Sequence, residues 1–385
     1  MTERTLHFEE QDKVFASVWL SSTQILMGTK ESKLFLVDLT HGQTFNIPLN
    51  DWGHQEGHRS TPDAHPMRAP RSSAKSQISA ESRDPLTPTM SVSTRYAALG
   101  RCQGIRCLTM NPSKTLLAVA MADPAVTMVY SLPSLELYTV CKGHRDAVYS
   151  ATWVTDTQLM TGSRDGTLSL WKMKMEEKEE TMETQASPVR LWTSPKTGNI
   201  RDLRFTGQQT ASLLSNGYMK LWDPHTLKET DTVRLPHTCE LVCLSHQRQR
   251  GLFAVGSAAH VTLLDPRLSD RKVVADLDSI DGNWGVRSLD FSDTILACGS
   301  GHGKLSFVDI RNMKYLPLGS KDKLYHSTTH GWLDRQNRTY QNFCVDTSVP
   351  PAIYTMAFSP DRTRLFTAGG PIQVGLRGCY AAVWK

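Results

Sequence analysis

One pattern recurs seven times along this 385-residue chain and fixes most of what it can become. Each unit opens on a short alternating segment: KVFASVW from Lys13, GIRCLTM from Gly104, AVYSATW from Ala147, NIRDLRF from Asn199, ELVCLSH from Glu240, GVRSLDF from Gly285 and AIYTMAF from Ala352. A second apolar segment follows each one: QILMGTK, LLAVAMA, QLMTGSR, ASLLSNG, LFAVGSA, ILACGSG and LFTAGGP. A third follows in turn: KLFLVDL, AVTMVYS, TLSLWKM, YMKLWDP, HVTLLDP, KLSFVDI and YAAVWK. Alternation of apolar and polar residues marks half-buried strands, and tight polar turns join them into antiparallel meanders.

The clearest unit is Gly143 to Trp171, GHRDAVYSATWVTDTQLMTGSRDGTLSLW. Its leading Gly-His pair, its Ser-Arg-Asp-Gly turn and its closing tryptophan resemble the WD40 repeat, a unit of about 40–45 residues that forms one propeller blade. The resemblance implies an all-β, seven-bladed WD40 β-propeller over residues 1–385. It also implies that His144, Asp165 and Trp171 lock their blade through hydrogen bonds, a structural role. The chain stops on the third strand of the seventh blade, at Trp384-Lys385. The missing outer strand is expected from Thr5 to Phe8 (TLHF). Pairing of the N- and C-terminal strands then closes the ring and leaves only short sheet edges.

Three insertions interrupt the repeats. Residues 50–100 are rich in Ser, Pro, His and Arg and read as a disordered loop between blades one and two. Residues 174–187 carry Glu176, Glu177, Glu179 and Glu180 and read as an acidic loop in blade three. Residues 321–351 hold Tyr325, Trp332, Tyr340 and Phe343, so part of that loop is expected to pack on the ring. No apolar run is long enough to span a membrane, and no signal peptide is recognisable at the start. Eight cysteines are scattered without paired metal spacing and read as free thiols of a reducing compartment. A net charge of +5 is too mild to argue for nucleic acid by itself.

Nothing in the chain reads as an active site, and neither a metal nor a cofactor is expected. The glycines of ACGSGHGK (Ala297 to Lys304) lie in a strand-turn-strand unit, where a phosphate loop would precede a helix. The informative residues sit instead at the third position of the recurring first strand: Phe15, Arg106, Tyr149, Arg201, Val242, Arg287 and Tyr354. A core-facing strand position normally takes an apolar side chain. In a propeller this strand is innermost, and its start lies at one mouth of the central channel. The turns between second and third strands open on the same mouth and add Lys30 and Arg164, while Lys13 stands at its own strand start. Lys13, Lys30, Arg106, Arg164, Arg201 and Arg287 are therefore expected to converge on a basic pocket. Asp165 and Asp202 are the candidate internal partners. Like charges ~8 Å apart repel by about 1 kcal/mol per pair at an effective dielectric of ~40, so an unpaired cluster selects acidic ligands.

The third strands of blades five and six end in Leu264-Asp265-Pro266-Arg267 and Val308-Asp309-Ile310-Arg311. These Asp-x-Arg corners resemble the WDxR boxes of propellers that dock on the damage-specific DNA-binding adaptor of cullin-4 ubiquitin ligases. With KVFASVWL, TGSRDGTLSLW, AVGSAAHVTLLDPR, HGWL and LFTAGGP…GLRGCYAAVWK, the chain resembles one family of those substrate receptors, the twelfth-numbered cullin-4-associated factor. The resemblance implies a non-catalytic receptor for substrates ending in two glutamates. Lys13, Lys30, Arg164, Arg201 and Arg287 would hold the acidic tail, and Arg106 extends that set. Asp265, Arg267, Asp309 and Arg311 would face the adaptor. It further implies a cytoplasmic and nuclear location, with the centrosome as a family site. Two departures stand out: the family's N-terminal docking region is longer, and residues 50–100 are longer here. From the residues alone, the rival is a nucleic-acid or phosphate-binding scaffold, with Tyr149 and Tyr354 stacking single-stranded bases.

Overall fold

The computed structural model describes residues 1–8, 10–49, 104–173, 185–193, 198–269, 272–319 and 323–385. They form seven sheets, antiparallel except for one short outer pairing. The innermost strands are Val14–Trp19, Ile105–Met110, Val148–Trp153, Ile200–Phe205, Cys243–Gln247, Val286–Ser292 and Pro351–Phe358. Each touches the next, and the seventh touches the first, so the seven blades close a ring. The all-β propeller expected from the repeats is the fold.

The core lies between blades as well as within them. Leu168 and Leu170 of blade three, for example, share an apolar cluster with Ile200, Leu203 and Trp222 of blade four. Close approach is set by a glycine near the end of several second strands. A Cβ on Gly28 would lie 2.5 Å from Ile105 Cγ2, and one on Gly299 would lie 2.7 Å from Ile353 Cγ2. The recurring glycine of MGTK and ACGS is thus a spacing device between neighbouring sheets.

The N-terminus closes the ring, but through a different segment from the expected one. The strand is Glu3–Thr5, paired with Gly378–Trp384 in the register Glu3 to Trp384 and Thr5 to Ala382. Thr2 N donates to Lys385 O at 2.9 Å, and Lys385 N donates to Thr2 O at 3.1 Å. Thr5 to Phe8 is the expected supplier because it directly precedes blade one; its Leu6 and Phe8 also alternate with polar residues. Leu6 N still donates to Ala381 O at 2.8 Å, but the chain leaves the ladder beyond it, and Leu6 and Phe8 pack on the core shared by blades one and seven. An outermost strand is half in water and needs no such alternation, so the polar Glu-Arg-Thr fills the place.

The blade-three lock is longer than its three sequence landmarks. Trp171 Nε1 donates to Thr161 Oγ1 at 2.7 Å, and His144 Nε2 bonds the same hydroxyl at 2.6 Å. His144 Nδ1 bonds Thr167 Oγ1 at 2.7 Å, which donates to Asp165 Oδ1 at 2.5 Å. His144, Asp165 and Trp171 are linked as expected, with Thr161 and Thr167 as the connecting hydroxyls. Blade seven builds a variant with the N-terminus: Trp384 Nε1 to Thr367 Oγ1, then Tyr380 Oη, then Glu3 Oε1.

Burial holds the His144 imidazole at a pKa of about 4 against an ordinary 6.5, although the nearby Asp165 carboxylate acts the other way. The folded state therefore binds fewer protons than the unfolded state between those values. The lock's stability is intact above about pH 6.5, falls as pH drops to about 4, and levels off below, a loss of ~3 kcal/mol. Denaturant midpoints at pH 7 and pH 5 check this. His144→Gln should show a pH slope shallower by about one proton than the unsubstituted chain; equal slopes would exclude His144 as the group responsible.

Of the insertions, residues 50–100 lie outside the described residues, as do 174–184. Gln185–Ala186 pairs in parallel with the outer strand of blade two, Leu137–Lys142. In the segment before blade seven, Tyr325–Ser327 pairs with Lys304–Asp309, and Trp332–Leu333 pairs with Gly378–Trp384. A short helix, α1, spans Arg338–Phe343, and Asn337 caps it by accepting from Thr339 N. Among the described residues, no helix is long and apolar enough to cross a membrane. No disulfide joins the described cysteines. Burial pushes the Cys243 and Cys379 thiols up to about 12, so they stay protonated at neutral pH.

Candidate functional site

Six of the seven inner strands carry a β-bulge near their start. The register breaks between Val14 and Ala16, Ile105 and Cys107, Val148 and Ser150, Ile200 and Asp202, Val286 and Ser288, and Ile353 and Thr355. The skipped residues are Phe15, Arg106, Tyr149, Arg201, Arg287 and Tyr354. A bulge leaves one residue outside the ladder and re-aims its side chain. All six line the central cavity, together with Val242. That cavity holds about 200 Å³. The third-position residues picked out in the sequence are therefore one ring, and the bulge explains why a core strand tolerates arginine there.

The same ends of the blades carry the turns between second and third strands. Lys30 N donates to Lys13 O at 2.8 Å, Arg164 N to Ala147 O at 2.9 Å, Ser215 N to Asn199 O at 2.9 Å and Gly301 N to Gly285 O at 3.0 Å. The six expected cations thus share one mouth of the ring, but only Arg106, Arg201 and Arg287 line the cavity.

The other three have local partners. Lys30 Nζ pairs with Asp12 Oδ2 at 3.0 Å, and Arg164 Nε lies 3.5 Å from Asp146 Oδ2. Lys13 is buried; its Nζ donates to Leu376 O at 2.8 Å and lies 3.4 Å from Gln373 O. Burial lowers the Lys13 pKa to about 8; Asp12 acts against that shift and Lys30 adds to it. The acidic partners differ from those expected. Asp165 belongs to the blade lock, and Asp202 accepts from Ser150 Oγ, Leu203 N and Leu244 N and pairs with Arg204, whose Nη1 lies 3.1 Å from Oδ1. Asp12 and Asp146 were missed because each sits just before its strand, where its direction depends on the turn.

The three cavity arginines are held differently. Arg106 stacks its guanidinium on Phe15, 4.2 Å from the ring centroid, and Arg201 lies 5.1 Å from that of Tyr149. Phe15 in turn meets Tyr354 edge-on at 5.2 Å. Arg201 makes no ion pair among the described residues, and its Nε is buried without a hydrogen-bond partner. Arg287 Nη2 pairs with Glu240 Oε2 at 2.7 Å and donates to Trp284 O at 3.1 Å.

Below this ring the cavity turns acidic as well as basic. Arg204 Nη1 pairs with Asp202 Oδ1 at 3.1 Å. Behind the cavity wall Asp290 accepts from Phe358 N at 2.9 Å, and burial pushes its carboxyl up to about 6 against that bond and the field of Arg204. The net positive end of the cavity is the bulge ring.

At the other ends of the blades, the two Asp-x-Arg corners match each other. Arg267 Nε and Nη2 bond Asp265 Oδ1 and Oδ2 at 2.9 and 2.7 Å. Arg311 Nε and Nη2 bond Asp309 Oδ1 and Oδ2 at 3.0 and 2.8 Å. The Arg311 fork holds the Asp309 carboxyl at about 2. Both arginine side chains remain about two-thirds exposed, at 66% and 64%. Each carboxylate thus fixes a guanidinium that still faces solvent, on neighbouring blades.

The family model described as the DDB1- and CUL4-associated factor 12 beta propeller matches residues 1–63 and 83–385. That match takes in every blade, the cavity ring and both Asp-x-Arg corners. The chain belongs to the DDB1- and CUL4-associated factor 12 β-propeller family.

Proposed function

We propose that this chain is the substrate-recognition subunit of a cullin-4 RING ubiquitin ligase. It reads acidic C-terminal tails, ending in two glutamates, in the cavity ringed by the bulge residues. One observation carries this reading: three arginines project from equivalent bulges into one cavity, and Arg201 Nε is left there without a partner. A buried donor without an acceptor costs free energy until one arrives. A carboxylate is the acceptor whose planar shape and charge suit a guanidinium fork.

The adaptor named in the family's description would dock at the opposite blade ends, through Arg267 and Arg311. Receptor and adaptor faces are then separate, and the ligase gains ubiquitin transfer from proximity alone. Lys13, Lys30 and Arg164 lie at the same mouth, but Asp12 and Asp146 offset the charge of the last two and Lys13 is buried, so attraction of an acidic tail comes chiefly from the cavity arginines and is screened by salt. The nucleic-acid reading is less well supported. Arg201 occupies a face of the Tyr149 ring that a base would stack on, and Tyr354 is engaged edge-on with Phe15.

Calorimetry with two peptides differing only in their last two residues tests the proposal. A peptide ending in Glu-Glu is expected to bind at about micromolar Kd, and one ending in Gln-Gln at least tenfold more weakly. Equal affinities would sink the acidic-tail reading, and displacement of the peptide by short RNA would favour the rival.

A further inference from the structure

Glu240 occupies a place that the repeat does not provide for. In blades one, three, four and six, the 2–3 turn bonds the carbonyl two residues before the bulge: Lys13 before Phe15, Ala147 before Tyr149, Asn199 before Arg201, Gly285 before Arg287. In blade five the corresponding bond runs from Ala258 N to Cys239 O at 3.0 Å. Cys239 lies three residues before Val242, so blade five carries one extra residue at the cavity's rim. Within that stretch Glu240 has a backbone φ of 54°, in the left-handed region that a residue with a Cβ seldom enters. The inner strand correspondingly starts late, at Cys243.

The added turn delivers a carboxylate to the mouth. Glu240 Oε2 lies 2.7 Å from Arg287 Nη2, and the two side chains are 10% and 8% exposed. Arg287 Nε is buried and has no hydrogen-bond partner. One edge of the guanidinium is therefore taken by an internal glutamate and a carbonyl, while its Nε–H has none. Glu240 presents to Arg287 the same chemical group that an incoming acidic tail would offer.

We infer that Glu240 is a built-in competitor for the acidic tail, holding Arg287 until a ligand carboxylate displaces it. The inference rests on the cavity being an acidic-tail site. It makes Glu240 an affinity-setting residue for tails that reach Arg287. A tail with one carboxylate can be held by Arg106 and Arg201 without disturbing the internal pair. A tail with a terminal carboxylate and two glutamates brings enough charge to exchange with Glu240. The internal pair also lowers the standing charge of the mouth, which reduces capture of stray anions.

Two substitutions separate this from a merely structural ion pair. Glu240→Gln removes the charge and keeps the shape; Glu240→Gly removes the side chain and suits the left-handed backbone. Each is expected to tighten binding of a Glu-Glu-ending peptide about tenfold, and of a peptide with a single terminal carboxylate by less, since only the first must displace Glu240. In an Arg287→Ala background the gain from freeing Arg287 is absent, so the tightening should fall well below tenfold, leaving only relief of repulsion from the unpaired Glu240. Unchanged or weaker binding in both Glu240 variants would overturn the inference and leave Glu240 as a support that positions Arg287. If the unsubstituted chain itself fails to bind the Glu-Glu peptide, the acidic-tail reading falls, and this inference with it.

Discussion

Arg201→Ala is expected to weaken binding of a Glu-Glu-ending peptide about 30- to 150-fold, the equivalent of about 2–3 kcal/mol for charge-assisted hydrogen bonds. The folded chain without ligand should be unharmed, with an unchanged melting temperature. Both expectations come from the same feature. Arg201 has no ion pair among the described residues, its guanidinium rests on Tyr149, and its buried Nε has no acceptor. Its hydrogen-bonding capacity is spent on nothing internal, so its removal subtracts from the complex alone. Arg287→Ala is a poorer probe of the ligand. It strands the buried Glu240 carboxylate, which by itself destabilises a fold by about 3–5 kcal/mol. Arg201→Lys separates charge from shape: a lysine restores attraction but not the planar fork, so only part of the affinity should return. Calorimetry with the two variants, alongside thermal melts, checks both halves. Full affinity in Arg201→Ala would remove the cavity from the account of recognition.

Arg267→Ala combined with Arg311→Ala is expected to weaken binding to the cullin-4 adaptor at least about a hundredfold, with peptide binding unchanged. The two guanidiniums are fixed by their own aspartates and still about two-thirds exposed, at 66% and 64%. A preordered exposed arginine loses little side-chain freedom on docking, so its contacts count in full. Each single substitution should remove about tenfold, and the corners lie on separate blades, so the effects should multiply. Co-purification and surface-binding measurements with the adaptor decide the matter. A double variant that still captures the adaptor normally would leave the corners as turn supports.

The repeat carried most of the fold into plain view. Inner strands and the apolar second strands must alternate or be fully apolar to pack against neighbouring blades, so their spacing is visible in the residues. The outer strands carry no such demand. Gln43–Ile47 is exposed at all but its last residue, and Glu3–Thr5 is polar, so neither outer strand stands out in the residues, and the closing strand begins two residues earlier than Thr5. The cavity ring was legible for the same reason as the fold: an arginine at a position where equivalent blades carry tyrosine or phenylalanine stands out.

Partners were much less legible. Asp12 and Asp146 neutralise Lys30 and Arg164, yet each lies outside the alternating segments. In the sequence Glu240 stands as the first residue of a strand, because ELVCLSH aligns with its counterparts if no residue is added. A single positive φ undoes that alignment, and no local pattern reports it. Thr161 and Thr167 were hidden in the blade lock because threonine is common in strands, so its presence distinguishes nothing.

The most direct test compares one Glu-Glu-ending peptide as free acid and as C-terminal amide, by calorimetry at low and moderate salt. The free acid is expected to bind at least about tenfold tighter, with the difference shrinking as salt rises. An amide that binds as well as the acid at both salts would contradict a carboxylate held by arginines in the cavity of the ring.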